Sequence, residues 1–214
     1  SSTKLTVKLN SPVTVDQLKK EKFDSVVVAV GFKQIAPPIE GIKGSNVVQG
    51  LDLLKNPALA DKANSVVIVG GGMVGCEIAH YLAYEKNKKV TVIEMLPQFM
   101  AASCTANRGH LIHALEAKGV QLMNCTKLLA VESTGVKVSQ NVSSTVPNQY
   151  CTWTPVLPEN IPNPMAKPIK IKEEIKVLPA DLVVLSMGGK PDDALYEACV
   201  KEHIAPEIFN IGDS

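Results

Sequence analysis

Short apolar runs recur along the chain, and the strongest of them run directly into glycine. Residues 25–30, 66–69, 89–93 and 182–185 are dominated by valine, isoleucine and leucine. Such runs lack polar alternation and predict strands buried on both faces, as in a parallel sheet. Between the second and third runs, Ile78, Ala79, Tyr81 and Leu82 carry a helical period. A second helix is predicted over about 104–118, with Gly119 just past its end as a C-cap. A strand follows at 120–124. Residues 128–132 and 136–140 alternate around Ser133, Thr134 and Gly135, which predicts a hairpin. Residues 5–9 alternate as a short strand, 16–22 form a polar helical turn, and 169–177 alternate again. A helix over 193–202 and a strand over 208–211 close the chain. Residues 32–44 hold Pro37, Pro38, Gly41 and Gly44 and read as loop, and 46–54 lead to a second loop at Asn56 and Pro57. The stretch 141–168 has six prolines, the single tryptophan Trp153 and no sustained period. It predicts an exposed, mobile excursion between two strands.

The junction after residue 69 carries the chemistry. Gly70, Gly71, Gly72, Met73, Val74 and Gly75 form a Gly-x-Gly-x-x-Gly fingerprint between a strand and a helix. Gly70 allows the tight turn, and Gly72, lacking Cβ, lets a pyrophosphate approach the backbone. Gly75 allows close packing of helix on strand. The N–H groups of the helix start, including those of Met73 and Val74, face the phosphates with the positive end of the dipole. The next strand ends at Glu94, followed by Met95. A carboxylate there accepts hydrogen bonds from ribose hydroxyls and repels a 2′-phosphate, so NAD(H) is expected over NADP(H). The expected fold is α/β: a Rossmann-like three-layer dinucleotide-binding domain with a parallel sheet and an antiparallel meander. The expected domains are 1–62, 63–187 with the long loop 141–168, and 188–214.

Composition removes competing classes. A net charge of +1 leaves no footprint for nucleic acid or an anionic membrane. No apolar run is long enough to span a bilayer. Five scattered cysteines without a Cys-x-x-Cys argue against a disulfide framework and fit a cytoplasmic location. The Asn-x-Ser/Thr matches at Asn124 and Asn141 are then chance. His110 and His113 share helical spacing, but no acid or cysteine stands at ligand spacing, so no metal site is expected. Arg108 reads as solvated. Cys76 beside the helix start is either an activated thiol or a packing residue. Glu77 is either a cleft residue or a solvated one, and both readings stay open.

Three motifs together resemble a family. They are residues 24–31 ending Ala29-Val30-Gly31, the glycine fingerprint with Glu94, and residues 181–188 ending Ser186-Met187-Gly188 together with 209–213 ending Ile211-Gly212-Asp213. The set resembles the two-dinucleotide-domain flavoprotein reductases of the pyridine nucleotide-disulfide oxidoreductase type. It is most similar to the C-terminal part of the enoate reductase, 2,4-dienoyl-CoA reductase and trimethylamine dehydrogenase group. The resemblance implies an NAD(H)-binding domain inserted into an FAD-binding domain, with crossovers near Gly31 and Gly188. It also implies a cofactor contact at Leu128, and a flavin contact at Gly212 and Asp213. The family's opening glycine unit, flavin barrel and iron–sulfur cysteines are not found in these residues. The chain therefore resembles an excised module that holds NAD(H) but not FAD by itself, is inactive alone, and has the remaining FAD and FMN-barrel portions as partners. An oligomer is compatible with this reading. The implied function is transfer of hydride from NADH to a flavin for reduction of an enoate-type substrate. The alternative is a non-catalytic ADP- or NAD-binding module.

Overall fold

The computed structural model describes residues 4–152, 161, 163–164 and 167–212. Trp153 and Asp213 lie outside them. In chain order the elements are α1 (Val15–Glu21), β1 (Ser25–Val28), β2 (Phe32–Gln34), β3 (Val47–Gln49), α2 (Gly50–Lys55), β4 (Ser65–Val69), α3 (Met73–Tyr84), β5 (Lys89–Ile93), α4 (Thr105–Ala117), β6 (Gln121–Met123), β7 (Thr126–Glu132), β8 (Gly135–Asn141), β9 (Glu173–Pro179), β10 (Leu182–Leu185), β11 (Gly189–Pro191), α5 (Ala194–Lys201) and β12 (Glu207–Asn210).

The chain forms two compact units: Ile35–Gly188, and Ser1–Gln34 together with Gly189–Ser214. The first boundary falls at residue 34 rather than 62. The reason is β3, which pairs in parallel with β10 and draws residues 35–62 into the larger unit. Leu53 and Ala60 of that stretch are wholly buried in its core.

In the larger unit a parallel sheet has the order β3-β10-β4-β5-β6. Period-two alternation sorts its residues between two layers. Val66, Ile68, Val90, Val92, Leu182 and Val184 pack on the helical side with Ile78, Leu82, Ile112 and Leu115. Val67, Val69, Ile93, Val183 and Leu185 face Leu128, Val131, Val136 and Val138 of the antiparallel meander β7-β8-β9. Strands buried on both faces explain the uninterrupted apolar runs. The two ends of this unit meet, with Ile35 N–H donating to the Gly188 carbonyl at 3.2 Å. Among the described residues no helix is long and apolar enough to cross a membrane.

Asp181 staples the sheet at its amino end. One carboxylate oxygen accepts from Asn64 N–H at 2.9 Å, Ser65 N–H at 2.8 Å and Ser65 Oγ at 2.9 Å. These donors hold the carboxyl below its ordinary range. A depressed folded value means the contribution is complete above the unfolded value of about 3.9 and is lost as pH falls through the lower folded one. Asp181→Asn should therefore lower the melting temperature at neutral pH, and the gap from wild type should close on acidification below about pH 4. A gap that stays constant into strong acid would contradict this staple.

In the smaller unit β1 pairs with β12 in parallel and β2 with β11 antiparallel. Thr14 and Gln17 form a reciprocal capping box at the start of α1. Lys19 of α1 forms an ion pair with Glu202, the C-cap of α5.

Four expectations are corrected here. Residues 5–9 form no strand. No strand among the described residues pairs with them, and Leu5, Val7 and Leu9 are 83%, 68% and 80% exposed. The loop 32–44 begins with the strand β2. Arg108 is 4% exposed rather than solvated, with Nη2 donating to the Cys151 carbonyl at 3.1 Å. The part of the excursion up to residue 152 packs down. Tyr150 is half-buried against the helical-side core; its hydroxyl donates to Val120 O at 3.2 Å and accepts from Leu122 N–H at 3.4 Å. Its neck is closed by Asn141, whose side chain accepts from Lys172 N–H at 3.0 Å and donates to Lys170 O at 2.9 Å.

Candidate nucleotide-binding site

The carboxyl ends of β4, β5 and β10 converge on the glycine loop. Order reverses here: the chain runs from β4 to β5 on one side, while β10 lies on the other. Ligands of open parallel sheets bind at such a switch point. Each fingerprint glycine meets a different demand. Gly70 has φ +107°, and a Cβ there would lie 2.2 Å from the Ser186 carbonyl oxygen. At Gly75 a Cβ would lie 2.0 Å from the Gly70 carbonyl oxygen. At Gly72 a Cβ would meet no atom within 4 Å, because this residue faces open space.

Gly72 is also the N-cap of α3, and no side chain caps that helix. Its first-turn N–H groups have no intrahelical acceptors and carry the positive end of the dipole. Gly72 itself lines a cleft of about 460 Å³, together with Gly70, Glu94, Met95, Leu128 and Gly188. Six of the residues singled out from the sequence are thus brought to one cavity. Its remaining walls are Pro37, Ile39, Val69, Ile93, Thr126, Lys127, Ser186 and Met187. Sequence reasoning did not find Pro37, Ile39, Thr126 or Lys127. They come from distant segments, and no local pattern marks them.

Glu94 is fixed by its own neighbourhood. Oε2 accepts from Gly71 N–H at 2.7 Å, and Oε1 accepts from Leu96 N–H at 2.8 Å. A carboxylate has about four acceptor positions, so two remain for hydroxyl donors. Gly71 is buried rather than open to the cleft. A Cβ on it would meet the Phe99 ring at 2.2 Å, and its carbonyl accepts from Met100 N–H at 2.8 Å. Phe99 is 1% exposed and was not anticipated as part of the site.

Met73 packs against the core while Val74 is exposed. Glu77 lies exposed on α3. Cys76 is wholly buried, and burial pushes its thiol up to about 12, so it is a packing residue and not an activated nucleophile. Among the described residues no three or more His, Cys, Asp or Glu side chains stand together as a metal-ligating group. Gly31 and Gly212 belong to the smaller unit, with φ of +75° and +95°.

The chain is 27% identical over 207 residues to bilirubin reductase of Mediterraneibacter gnavus (strain CC55_001C), covering 97% of the chain and 27% of that protein. It is 44% identical over 94 residues to an NADH oxidase of Thermoanaerobacter brockii, covering 42% of the chain and 14% of the oxidase. The structure of a 2-naphthoyl-CoA reductase complex superposes with a TM-score of 0.71 at 28% identity, over 96% of this chain and 26% of that one. The chain therefore spans about a quarter or less of the length of these relatives. The cofactors of the family are NAD(H) and FAD. The family model for pyridine nucleotide-disulphide oxidoreductases matches residues 2–208, and the chain belongs to that family.

Proposed function

We propose that this chain is the NADH-binding portion of an FAD-linked oxidoreductase, with the nucleotide in the cleft at the ends of β4, β5 and β10. The observation that carries this is the open face of Gly72 beside an uncapped helix start, a cradle that a Cβ would intrude on. Gly72 and the first-turn N–H groups of Met73 and Val74 hold the pyrophosphate. Glu94 accepts from the adenosine ribose hydroxyls. Leu128, Met95 and Ile39 supply apolar surface for the adenine, and Gly188 borders the nicotinamide end. Glu77, one turn into α3, is assigned to that end as well. Gly31, Gly212 and Asp213 are assigned to a flavin on resemblance alone.

When bound, the nicotinamide supplies a hydride that a flavin accepts for delivery to an enoate-type or related conjugated substrate. Bilirubin and 2-naphthoyl-CoA, named for two relatives, are both conjugated and support that substrate class. The chain's own residues bind and orient, and the redox chemistry belongs to the cofactors. The polypeptide portions that bind FAD and substrate are the proposed partners, in a cytoplasmic enzyme.

Calorimetric titration of the chain should show tighter binding of NADH than of NADPH. Glu94→Ala should weaken NADH by about 1–3 kcal/mol and leave NADPH less affected, narrowing the preference. Equal or tighter NADPH binding by the wild type would overturn the role of Glu94. In the full-length protein, NADH should reduce an artificial electron acceptor; binding without turnover would mark a nucleotide-binding module instead.

A further inference from the structure

We infer that Asn124 is a specificity-determining positioning residue, tying the segment around Pro147 to the strap that holds Glu94 over the glycine loop. This rests on reading the cleft as the NADH site.

The strap is residues 94–100, between β5 and α4. It is anchored at both ends and along its length. Glu94 N–H donates to Met123 O at 2.9 Å, Thr126 N–H donates to Glu94 O at 2.8 Å, and Cys125 N–H donates to Leu96 O at 3.1 Å. At its far end Phe99 fills the space beside Gly71, and Met100 N–H reaches the Gly71 carbonyl. Within it, Leu96 N–H fixes one oxygen of the Glu94 carboxylate while Gly71 N–H fixes the other. The orientation of Glu94 is therefore set by where Gly71 and Leu96 sit, and Pro97 follows Leu96 directly in the strap.

Pro97 has no N–H with which to hold its own place, so its carbonyl is the available handle. Asn124 takes it. Its side-chain amide, in a residue 3% exposed, donates one hydrogen to Pro97 O at 2.7 Å and the other to Pro147 O at 2.9 Å. A primary amide suits this position because two hydrogens on one nitrogen satisfy two carbonyls from separate segments. A carboxylate of the same shape would turn acceptors toward acceptors. A leucine would leave both carbonyls without this donor. The path from the excursion to the ribose site is short: Pro147, Asn124, Pro97, Leu96, Glu94. Tyr150 anchors the same segment to the core three residues later.

A purely stabilising residue would affect NADH and NADPH binding alike. A positioning residue acts through Glu94 and should change their ratio. The test measures both dissociation constants calorimetrically for wild type, Asn124→Asp and Asn124→Leu, with a thermal melt of each. In folded variants NADH should weaken more than NADPH, and the ratio should fall by about fivefold or more. If the wild type prefers NADH and the folded variants keep its ratio, the inference is overturned. If the wild type binds neither nucleotide, the reading of the cleft fails first, and the inference fails with it. Should neither variant fold, the wild-type chain decides by NMR. The Asn124 side-chain amide signals should shift on adding ADP-ribose and remain in place with nicotinamide mononucleotide, which lacks the adenosine. No shift with ADP-ribose overturns the inference.

Discussion

Gly72→Val is expected to abolish NADH binding while leaving the chain folded. Gly72 has φ −70° and ψ −175°, extended backbone open to any residue. A Cβ added there touches no protein atom within 4 Å. The whole added volume enters the cleft where a pyrophosphate would meet the backbone. Affinity should fall by at least about a hundredfold, or about 3 kcal/mol. Circular dichroism should match the wild type, and calorimetry should give no measurable heat. A folded variant that binds NADH unchanged would move the phosphate site elsewhere.

The same substitution three residues on should have the opposite signature. A Cβ on Gly75 would lie 2.0 Å from the Gly70 carbonyl oxygen and 3.1 Å from its carbon. That peptide cannot retreat freely. Its own N–H, that of Gly71, donates to Glu94 Oε2 at 2.7 Å, Gly70 N–H on the preceding peptide donates to the Ile93 carbonyl at 2.9 Å, and the Gly70 α-carbon leaves no room for a Cβ against the Ser186 carbonyl. Gly75→Val should therefore destabilise the fold by about 3 kcal/mol or more. For a chain of this length the melting temperature should drop on the order of 6–12 °C. Thermal melts of both variants, side by side, separate a glycine required by the ligand from one required by the fold. Equal melting temperatures for Gly75→Val and wild type would contradict the packing described here.

What could be read from the sequence were demands met within one βαβ unit. The glycine spacing, the apolar runs of β4 and β5, and an acid at position 94 each answer a local requirement, and they meet at one cleft. What could not be read depends on partners far along the chain. The alternation of residues 5–9 specifies a strand only where a second strand offers a ladder, and none among the described residues does. Arg108 looks like a surface cation until Cys151, 43 residues away, covers it. Proline content in 141–168 hides Tyr150, whose hydroxyl finds acceptor and donor on the segment around β6. Phe99 sits in a stretch without period, and only Gly71, across the sheet end, reveals its place. β3 is three residues long, too short for a periodic signal, yet it moves the boundary between the units.

The bond between Ile35 and Gly188 has a consequence for how such a molecule can arise and be rebuilt. A stretch of 154 consecutive residues enters and leaves its surroundings at neighbouring points. To the chain on either side, it is topologically no larger than a tight turn. Loop-closure entropy is governed by the separation that must be bridged, and here the folded stretch bridges it by itself. Such a stretch behaves as a cassette: it can be transplanted, or replaced by a short linker, without altering the path of the flanking chain.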